Sequence, residues 1–409
     1  MKIIVIGGSG KIGSAVAWDL IKQDDVKEVC ITGRDKKSLK EKKEWIGSKK
    51  VITKQLDISK KKETISLIKD YDVAVITLPN RNTDYKAVEY AIEAKVHIVD
   101  VLEEYHRRPD AYETEGLEKP KGKTLDQYGD WLNSRAQKRG VSFIDGIGFA
   151  PGLSNVTVGE GIRKIEKADK AIARVGGIPS KKDADKHPLK YMITWAFEHV
   201  LREYMVKVKV IKGGKIKEID AMSDFERFEF EALGKDEDLE CFVTPGMPSF
   251  IYTRSNLGEF AEKTVRWQGH YQAIQTLKEA GMLDLEEIDI DGNKVVPRKV
   301  LSEVITPKLI PGKDEGDACV MWNSVKGKSD GKEVKMNYYM WEEADKKNGL
   351  SAMQRVTSFP AAIAAVFLGR DDIKKRGILA PEDCIKGKVY ENFISELEKR
   401  DIKIEVRSD

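Results

Sequence analysis

The chain of 409 residues has no marked excess of charge of either sign, because 71 Lys and Arg residues stand against 68 Asp and Glu residues. A net charge of +3 gives no reason to expect nucleic acid or a membrane as a partner. Cysteine is scarce, since the four cysteines are far apart and form no C-x-x-C pair, and the five histidines are scattered. This composition shows no pattern of metal ligands, so we predict a reduced, cytoplasmic protein without a bound metal.

A targeting or membrane-spanning segment is not evident in the sequence either. The first predicted strand begins at Lys2, so we expect that no signal peptide precedes the fold. The most apolar stretch is 350–369, but it contains Arg355 and Pro360. Because these residues are unfavourable in a membrane span, we predict a buried helix there that packs on the first domain.

What the sequence does contain is a glycine-rich turn near its start. Residues 3–6 form an apolar run typical of a strand buried on both faces, and Gly8, Gly10 and Gly13 follow as G-x-G-x-x-G. In this motif the first glycine permits a sharp turn, the second lets the backbone approach a pyrophosphate, and the third lets helix and strand pack closely. A helix is predicted to begin near Lys11, and this position between strand and helix indicates a dinucleotide site.

The end of the second predicted strand indicates which dinucleotide binds. An NAD site usually has Asp or Glu there to accept from the ribose 2′-OH, but this chain has Gly33 followed by Arg34. A glycine makes room and a guanidinium pairs with a 2′-phosphate, so we predict that NADP is favoured over NAD. In the alternative interpretation Arg34 is a surface charge and Asp35 binds the ribose.

Strands and helices continue to alternate as far as about residue 145, which predicts an α/β fold with a doubly wound (Rossmann) parallel sheet. In such a sheet the cofactor lies at the carboxyl ends of the strands. The polar, irregular stretch 103–122 leaves the same edge, and we interpret it as a lid or mobile insertion. The predicted cofactor-binding residues are Gly8, Ser9, Gly10, Lys11, Ile12, Gly13, Arg34, Asp35, Asp57, Ile58, Leu78, Pro79, Asn80, Asp100 and Val101.

Beyond residue 152 the regular alternation is lost, and short strands with a few helices predict a second domain of the α+β class. A chain of this length is expected to form two domains. We predict a nucleotide-binding domain at 1–148, rejoined by residues 350–385, and an α+β domain at 149–349. Residues 386–409 are predicted to be a C-terminal extension.

Several segments along most of the chain resemble one enzyme family, the saccharopine dehydrogenase family of the glutamate-forming type, and within it the L-lysine 6-dehydrogenase branch. The resemblance implies a dinucleotide domain, an α+β substrate domain that pairs two subunits into a homodimer, and a C-terminal segment that returns to the first domain. The resembling segments are GGSGKIG (7–13), DGIGFAPGLSN (145–155), VGGIP (175–179), HPLKY (187–191), EYMVKVKVIKGGKI (203–216), TVRWQGHY (264–271) and TSFPAAIAAVFLG (357–369).

Two departures from the family pattern bear on the substrate. Saccharopine-forming reductases resemble G-x-D-P-G near residue 150, whereas this chain has Ala150 in place of the acid, which favours the lysine dehydrogenase branch. Lysine dehydrogenases, however, tend to carry an acidic residue where this chain has Gly33 and Arg34. Short-chain dehydrogenases share the glycine-rich start, but no tyrosine of this chain is followed by lysine four residues later, as their catalytic Tyr-x-x-x-Lys requires.

The resemblance implies hydride transfer between a nicotinamide and the C–N carbon of a lysine-like amino acid. A saccharopine-type or carboxynorspermidine-type imine reductase is an alternative, and a non-enzymatic NADP-binding sensor is another. Such an enzyme binds the carboxylate of its substrate and accepts a proton from the ammonium group. Arg266 is the candidate for the carboxylate, with an ordinary inter-domain salt bridge as its alternative role.

The candidates for catalysis are Asp100 and Asp145, which end predicted strands, and His270. Each aspartate has a loop cap as its alternative role, and a lone histidine is more often a structural hydrogen-bond partner. We expect Asp100, Asp145, Arg266 and His270 around the nicotinamide in a cleft between the domains. The expected partners are an amino acid substrate and a second copy of the chain. The predicted substrate-binding residues are Arg266, Glu104, Pro151 and Gly152.

Overall fold

The computed structural model describes residues 1–109, 119 and 121–409, so the predicted lid at 103–122 lies partly outside the described residues. Within this part of the chain two compact units form. The first unit contains Met1–Glu160, Met247–Arg254 and Gln354–Ile402. The second unit contains Gly161–Gly246, Ser255–Met353 and Lys403–Asp409.

The described secondary structure consists of strands and helices in the following order. The strands are β1 (Lys2–Ile6), β2 (Glu28–Gly33), β3 (Val51–Gln55), β4 (Val73–Ile76), β5 (His97–Asp100), β6 (Ser142–Ile144), β7 (Lys167–Pro179), β8 (Lys207–Lys212), β9 (Ile216–Asp220), β10 (Glu226–Ala232), β11 (Lys235–Val243), β12 (Glu259–Trp267), β13 (Ile288–Ile290), β14 (Asn293–Val295), β15 (Asp317–Ser329), β16 (Lys332–Glu343), β17 (Gly377–Leu379) and β18 (Glu405–Ser408). The helices are α1 (Lys11–Leu20), α2 (Lys36–Ile46), α3 (Lys61–Ile68), α4 (Arg81–Ala94), α5 (Leu125–Lys138), α6 (Leu153–Lys164), α7 (Lys181–Ala184), α8 (Phe197–Glu203), α9 (Phe250–Thr253), α10 (His270–Glu279), α11 (Pro297–Leu309), α12 (Ala352–Gly369), α13 (Pro381–Cys384) and α14 (Lys388–Glu398).

A seven-stranded parallel sheet is the centre of the first unit. Its strand order is β17-β6-β5-β4-β1-β2-β3. Strands β1 to β3 are added toward one edge of the sheet and β4 onward toward the other edge, as in a doubly wound fold. The apolar runs of β1 and β4 are buried because helices cover both faces of a parallel sheet. The predicted Rossmann fold is confirmed, and the carboxyl ends of β1, β2, β4 and β5 share one edge, which we call the cofactor edge.

Helix α12 is the apolar helix predicted from the sequence, and all but its first two residues belong to the first unit. Gln354 and Ser358 donate hydrogen bonds to the carbonyl oxygens of Lys11 and Ile12 at 3.1 Å, so the helix packs at the start of α1. By length and composition alone α12 would be long enough to cross a membrane, but 83% of it is buried within the structure. The predicted extension at 386–409 is divided, because α14 lies in the first unit whereas β18 pairs with β16 in the second.

The second unit is built on a mixed sheet of nine strands. Its main order is β10-β11-β12-β7-β15-β16-β18, with β8 and β9 attached at β12. Only the β7–β12 pair among these strands is parallel. Helices α8, α10 and α11 contribute residues to an apolar cluster with Phe242 of β11, so the unit has the α+β architecture predicted from the sequence.

A buried hydrogen-bond network fixes the segment 146–155 within the first unit. The Asn155 side chain accepts from the backbone N–H of Gly152 at 3.0 Å and donates to the carboxylate of Glu382 at 3.0 Å. Ser249 and Thr253 donate to the same carboxylate at 2.8 and 2.6 Å. The asparagine of the PGLSN segment therefore holds the loop that follows β6 at the cofactor edge.

Candidate functional site

The glycine turn has the predicted position, but its glycines have partly different tasks. The residue with positive φ is Gly7, at 87°, so the turn is made there and not at Gly8 as predicted. A Cβ at Gly8 would lie 2.7 Å from Cβ of Ile31, so Gly8 permits close packing on β2. A Cβ at Gly13 would lie 2.6 Å from the carbonyl oxygen of Gly7, which agrees with its predicted role in packing α1.

Gly10 has the surroundings expected of a residue that faces a phosphate. It is the N-cap of α1 but has no side chain to accept from the first N–H groups of the helix. A Cβ at Gly10 would meet only the carbonyl oxygen of Gly7, at 3.3 Å. The first turn of α1, which begins with Lys11 and Ile12, therefore offers free N–H groups and the positive end of the helix dipole to an anion.

Gly33 is required for a reason that the sequence did not show. A Cβ at this position would lie 2.4 Å from Oγ of Ser9, so the space beside Gly33 is used by the glycine turn itself. Arg34 is exposed beside it, whereas Asp35 caps α2 by accepting from the backbone N–H of Ser38 at 2.6 Å. That hydrogen bond lowers the pKa of Asp35. The cap uses Oδ1 of Asp35, and the alternative in which Asp35 binds the ribose stays a prediction.

The other predicted cofactor residues lie at or just beyond the strand ends of the first unit. Asp57 lies two residues after β3 and accepts from the backbone N–H of Ser59 at 2.9 Å. Hydrogen bonds from the Ser59 side chain and from its backbone N–H lower the pKa of Asp57. Asn80 caps α4 by accepting from the N–H of Thr83 at 3.2 Å. Leu78, Pro79 and Val101 are at least partly exposed, whereas Ile58 and Asp100 are buried.

Asp100 and Asp145 belong to a buried cluster around His106, which the sequence analysis did not identify. Nδ1 of His106 lies 2.8 Å from Oδ1 of Asp145, and the His106 backbone N–H donates to Oδ2 of Asp145 at 2.7 Å. Nε2 of His106 lies 3.0 Å from Oδ1 of Asp84 and 3.7 Å from Oδ2 of Asp100. All four side chains are completely buried, so this cluster is part of the interior of the first unit.

Burial and neighbouring charge shift the pKa of every group in this cluster. Burial alone would lower the pKa of His106, but the carboxylates of Asp145 and Asp84 outweigh it and raise that pKa well above its usual value. Burial also raises the pKa values of Asp84, Asp100 and Asp145, against the opposing effect of His106. The cluster therefore favours a cationic imidazole with at least one protonated carboxyl group.

The same cluster resembles a possible cation site, because one ligand atom each from Asp84, Asp100 and His106 lies within 4.8 Å of the others. The ring nitrogen that would coordinate the cation is Nε2, which is already within hydrogen-bond distance of Asp84. A metal would require that hydrogen bond to break. The geometry therefore favours a hydrogen-bonded cluster at this place, and the absence of a bound metal stays a prediction.

The predicted substrate residues of the first unit are engaged in internal contacts. The carboxylate of Glu104 is buried and forms an ion pair with Arg81, whose guanidinium also donates to the carbonyl oxygen of Glu103 at 2.7 Å. Gly152 has a φ of 129°, and a Cβ there would lie 2.2 Å from the N atom of Gly148. Gly152 and the buried Pro151 thus shape the loop after β6. A direct contact of Glu104, Pro151 or Gly152 with substrate stays a prediction.

Arg266 lies in the second unit on β12, with only 3% of its surface exposed. Its Nε donates to the Tyr204 hydroxyl at 3.2 Å and its Nη1 donates to the Val265 carbonyl oxygen at 2.9 Å. The guanidinium also lies over the ring of Tyr191 at 5.3 Å. No described carboxylate lies within ion-pair distance of Arg266, so the salt bridge considered as its alternative role is not formed in the described part of the chain.

His270 orients Tyr204 and is poorly placed to act as a base. Its Nδ1 lies 2.8 Å from the Leu189 carbonyl oxygen and its Nε2 lies 3.0 Å from the Tyr204 hydroxyl. Burial, together with the charge of Arg266, lowers the pKa of His270 to about 3. A neutral imidazole donates from Nδ1 and accepts from Tyr204 at Nε2, which leaves the tyrosine oxygen to accept from Arg266. The predicted catalytic role of His270 is therefore not favoured by the geometry.

The structure places Asp100 and Asp145 in the first unit and Arg266 and His270 in the second. Asp100 and Asp145 both belong to the cluster around His106, and Arg266 and His270 both contact the Tyr204 hydroxyl. Whether the two pairs share one site stays a prediction. The missed residues are Asp84, His106, Tyr191 and Tyr204. Two aspartates at the ends of adjacent strands require a nearby donor, and this was the signal that could have indicated His106.

Two family models match consecutive parts of the chain. The saccharopine dehydrogenase NADP binding domain matches residues 3–144, and the saccharopine dehydrogenase C-terminal domain matches residues 148–402. The chain belongs to the saccharopine dehydrogenase family. It is accordingly a NAD(P)-dependent oxidoreductase that acts on an amine or imine carbon, and the family suggested by its sequence is confirmed.

Individual relatives of this family are distant in sequence. The chain is 22% identical to carboxyaminopropylagmatine dehydrogenase of Synechocystis over 94% of this chain and 93% of that protein. It is 22% identical to the NADP(+), L-glutamate-forming saccharopine dehydrogenase of Saccharomyces cerevisiae over 76% of this chain and 66% of that protein. It covers less than half, 45%, of the mitochondrial alpha-aminoadipic semialdehyde synthase of Bos taurus, at 20% identity.

A solved structure supports the fold. The apo saccharopine dehydrogenase of Saccharomyces cerevisiae superposes with a TM-score of 0.78 at 19% identity, over 100% of this chain and 99% of that chain. At this level of identity the likeness establishes the two-domain architecture of the family.

The two buried histidines should titrate in opposite ways. In spectra of protein labelled with ¹⁵N-histidine, we expect His270 to remain neutral from pH 5 to 9, because its pKa is lowered to about 3. His106 should remain a cation near pH 7, because its carboxylate neighbours raise its pKa. Resonances are assigned with His270→Gln and His106→Gln. A neutral His106 at pH 6, or a His270 that titrates near 6.5, would contradict this description of the clusters.

Proposed function

We propose that this protein is an NADP-dependent dehydrogenase that transfers hydride between the nicotinamide and the C–N carbon of a lysine-like amino acid. The observation that carries the proposal is the state of Arg266. Its guanidinium is buried, it has no paired carboxylate among the described residues, and its hydrogen bonds use Nε and Nη1 only. A substrate carboxylate would supply the missing anion and accept from Nη2.

The buried guanidinium of Arg266 has no paired counter-ion among the described residues, and such a charge is costly. A buried cation without a counter-ion is strongly disfavoured unless the energy is recovered, for instance when a ligand binds. Tyr204 and the Val265 carbonyl oxygen fix the guanidinium plane, so the remaining N–H groups are oriented before a ligand arrives. A preorganised guanidinium is well suited to bind a carboxylate, the group that every amino acid substrate carries.

NADP is supported by the residues at the end of β2. Arg34 is exposed, no ion pair fixes its guanidinium among the described residues, and the neighbouring Asp35 is used as a helix cap. The glycine turn and the first turn of α1 would hold the pyrophosphate, and Arg34 would hold the 2′-phosphate. When bound, the nicotinamide supplies the hydride acceptor or donor.

An imine reductase is the second candidate. It is favoured by the relative that matches over 94% of the chain, whose name is carboxyaminopropylagmatine dehydrogenase. A reductase of this kind also binds a carboxylate, so the arrangement of Arg266 is compatible with it. Lysine alone would then be inert, whereas an aldehyde or keto acid together with an amine would consume NADPH. The sensor alternative predicts NADPH binding without turnover of any amine.

We also propose that the protein is a cytoplasmic homodimer. The four cysteines are free thiols, as expected in a reducing compartment. On the sheet of the second unit, Phe228, Trp322, Tyr339 and Trp341 form a half-buried aromatic face, and large aromatic residues are enriched at subunit interfaces. Sedimentation of the protein at micromolar concentration as a monomer would refute the dimer.

Arg266→Lys tests the carboxylate site. The lysine keeps the charge but loses the planar pair of donors, so KM for the amino acid should rise about tenfold or more, in keeping with ~1.5–3 kcal/mol for a charged hydrogen bond. The dissociation constant of NADPH should be unchanged. Arg227→Lys, at an exposed arginine on the same sheet, is the matched control. Equal effects of Arg266→Lys on the amino acid and on NADPH would remove Arg266 from the substrate site.

Arg34→Ala tests the cofactor choice. Loss of the contact with the 2′-phosphate should weaken NADPH binding by ~1.5–3 kcal/mol and leave NADH binding almost unchanged. Fluorescence titration with both cofactors measures this, and Lys69→Ala, at an exposed lysine at the end of α3, serves as the control. Tighter binding of NADH than of NADPH by the unmodified protein would contradict the choice of NADP.

A further inference from the structure

The cluster around His106 connects four separate parts of the first unit. Asp84 lies in the first turn of α4, Asp100 ends β5, His106 lies in the segment after β5, and Asp145 directly follows β6. The carbonyl oxygen of Asp100 also accepts from the N–H of Ile147 at 2.7 Å. The cluster therefore ties together the two segments that leave β5 and β6 at the cofactor edge.

Two carboxylate oxygens of this cluster have no hydrogen-bond donor among the described residues. Asp145 accepts with both oxygens from His106, and Asp100 Oδ1 accepts from the N–H of Leu102 at 2.8 Å. Asp84 Oδ1 lies 3.0 Å from Nε2 of His106. The remaining atoms, Asp84 Oδ2 and Asp100 Oδ2, are buried without a hydrogen-bond partner. Each of them requires a proton donor, and one proton placed between them would serve both.

The charges of the cluster also favour an added proton, which lowers the excess negative charge from two to one. Three ionised carboxylates and one imidazolium would leave two uncompensated negative charges in the interior, which is strongly unfavourable. One carboxylate oxygen of Asp84 lies within 4.8 Å of one carboxylate oxygen of Asp100, and Oδ2 of each lacks a described donor. Like charges this close in a buried site disfavour ionisation of both groups, so one proton held by the pair is favoured. The other ionisable groups that face the cluster are Glu104, which is paired with Arg81, and the phenols of Tyr85 and Tyr105.

We propose that Asp84 and Asp100 share one proton. In this proposal His106 is a positioning residue. Its contacts with Asp84 and Asp145 hold the ends of β5 and β6 in the arrangement that binds the nicotinamide half of NADP. This inference rests on the proposed NADP binding. It gives Asp100 and Asp145 positioning roles instead of the role of a general base. The Asp145 side chain is completely buried and both of its oxygens accept from His106, so it is poorly placed to take a proton from a substrate.

The proposal has a defined pH dependence. The pKa values of His106, Asp84 and Asp100 are raised in the folded protein, so folding favours their protonated forms. A raised pKa contributes stability that is present below the unfolded value and is lost as the pH rises through the folded value. For His106 the loss begins above its unfolded pKa of about 6.5. Unfolding temperature and NADPH affinity should therefore both fall on the alkaline side.

The shared proton is tested with Asp84→Asn, in which an amide donor permanently replaces the shared proton. Its unfolding temperature at pH 7 should lie within about 3 °C of the unmodified protein, and its fall between pH 7 and 10 should be shallower. Asp70→Asn, at an exposed aspartate, should keep the full alkaline fall. If Asp84→Asn loses more than about 8 °C at pH 7, or keeps the full alkaline fall, the shared proton is wrong. A stoichiometric divalent metal in the purified protein that is absent from Asp84→Asn would also overturn it.

The positioning role is tested with Asp145→Asn and His106→Gln. Asp145→Asn places an amide N–H₂ against donors of His106, and His106→Gln cannot keep both the contact to Asp145 and that to Asp84. Either variant that remains folded should bind NADPH about tenfold more weakly at pH 7, with less alkaline dependence than the unmodified protein. NADPH binding with an unchanged affinity and pH profile in a folded variant would refute the positioning role. If the unmodified protein does not bind NADPH at any pH, the proposed function fails instead, and the unfolding temperatures still test the shared proton.

Discussion

The hydrogen bonds between His106 and Asp145 are the contacts on which the cofactor edge of the first unit depends. Asp145 directly follows β6, and a carboxylate buried there without donors would be strongly destabilising. His106 supplies two donors, from its ring and from its backbone, at 2.8 and 2.7 Å. These hydrogen bonds attach the segment after β5 to the end of β6, and the His106 ring also contacts Asp84 of α4. One imidazole thus connects three elements at the cofactor edge.

The second unit contains a buried cation, Arg266, that has no carboxylate within ion-pair distance among the described residues, although the buried Glu203 acts on it from farther away. A directed chain of hydrogen bonds runs from Arg266 to the Tyr204 hydroxyl, from that hydroxyl to Nε2 of His270, and from Nδ1 to the carbonyl oxygen of Leu189. Burial and the charge of Arg266 lower the pKa of His270 to about 3, so its imidazole is neutral near pH 7. Each hydrogen bond in this chain therefore has one fixed donor and one fixed acceptor. The arrangement orients the guanidinium while leaving its charge unpaired, which is the state that we associate with carboxylate binding.

The sequence was sufficient to predict the features that depend on backbone pattern. The glycine motif, the apolar runs of β1 and β4, and the arginine after β2 predicted the Rossmann fold and the dinucleotide site, because these follow from local chain geometry. The direction in which a side chain points was not predictable in the same way. Asp100 and Asp145 were placed correctly at strand ends, but their side chains turn inward to His106. That histidine lies in a segment with no periodic pattern, and its role follows only from contacts with residues far along the chain.

The most direct test of the proposed activity follows the hydrogen that is transferred. Lysine deuterated at the carbon that bears the side-chain amine is incubated with the protein and NADP⁺, and the nicotinamide product is analysed by mass spectrometry. The account predicts NADPH one mass unit heavier than with unlabelled lysine, because the deuterium leaves that carbon as hydride. NADPH formed without the label would contradict transfer from that carbon. Formation of no NADPH from any basic amino acid, by a protein that still binds NADPH, would contradict the amine-oxidising activity.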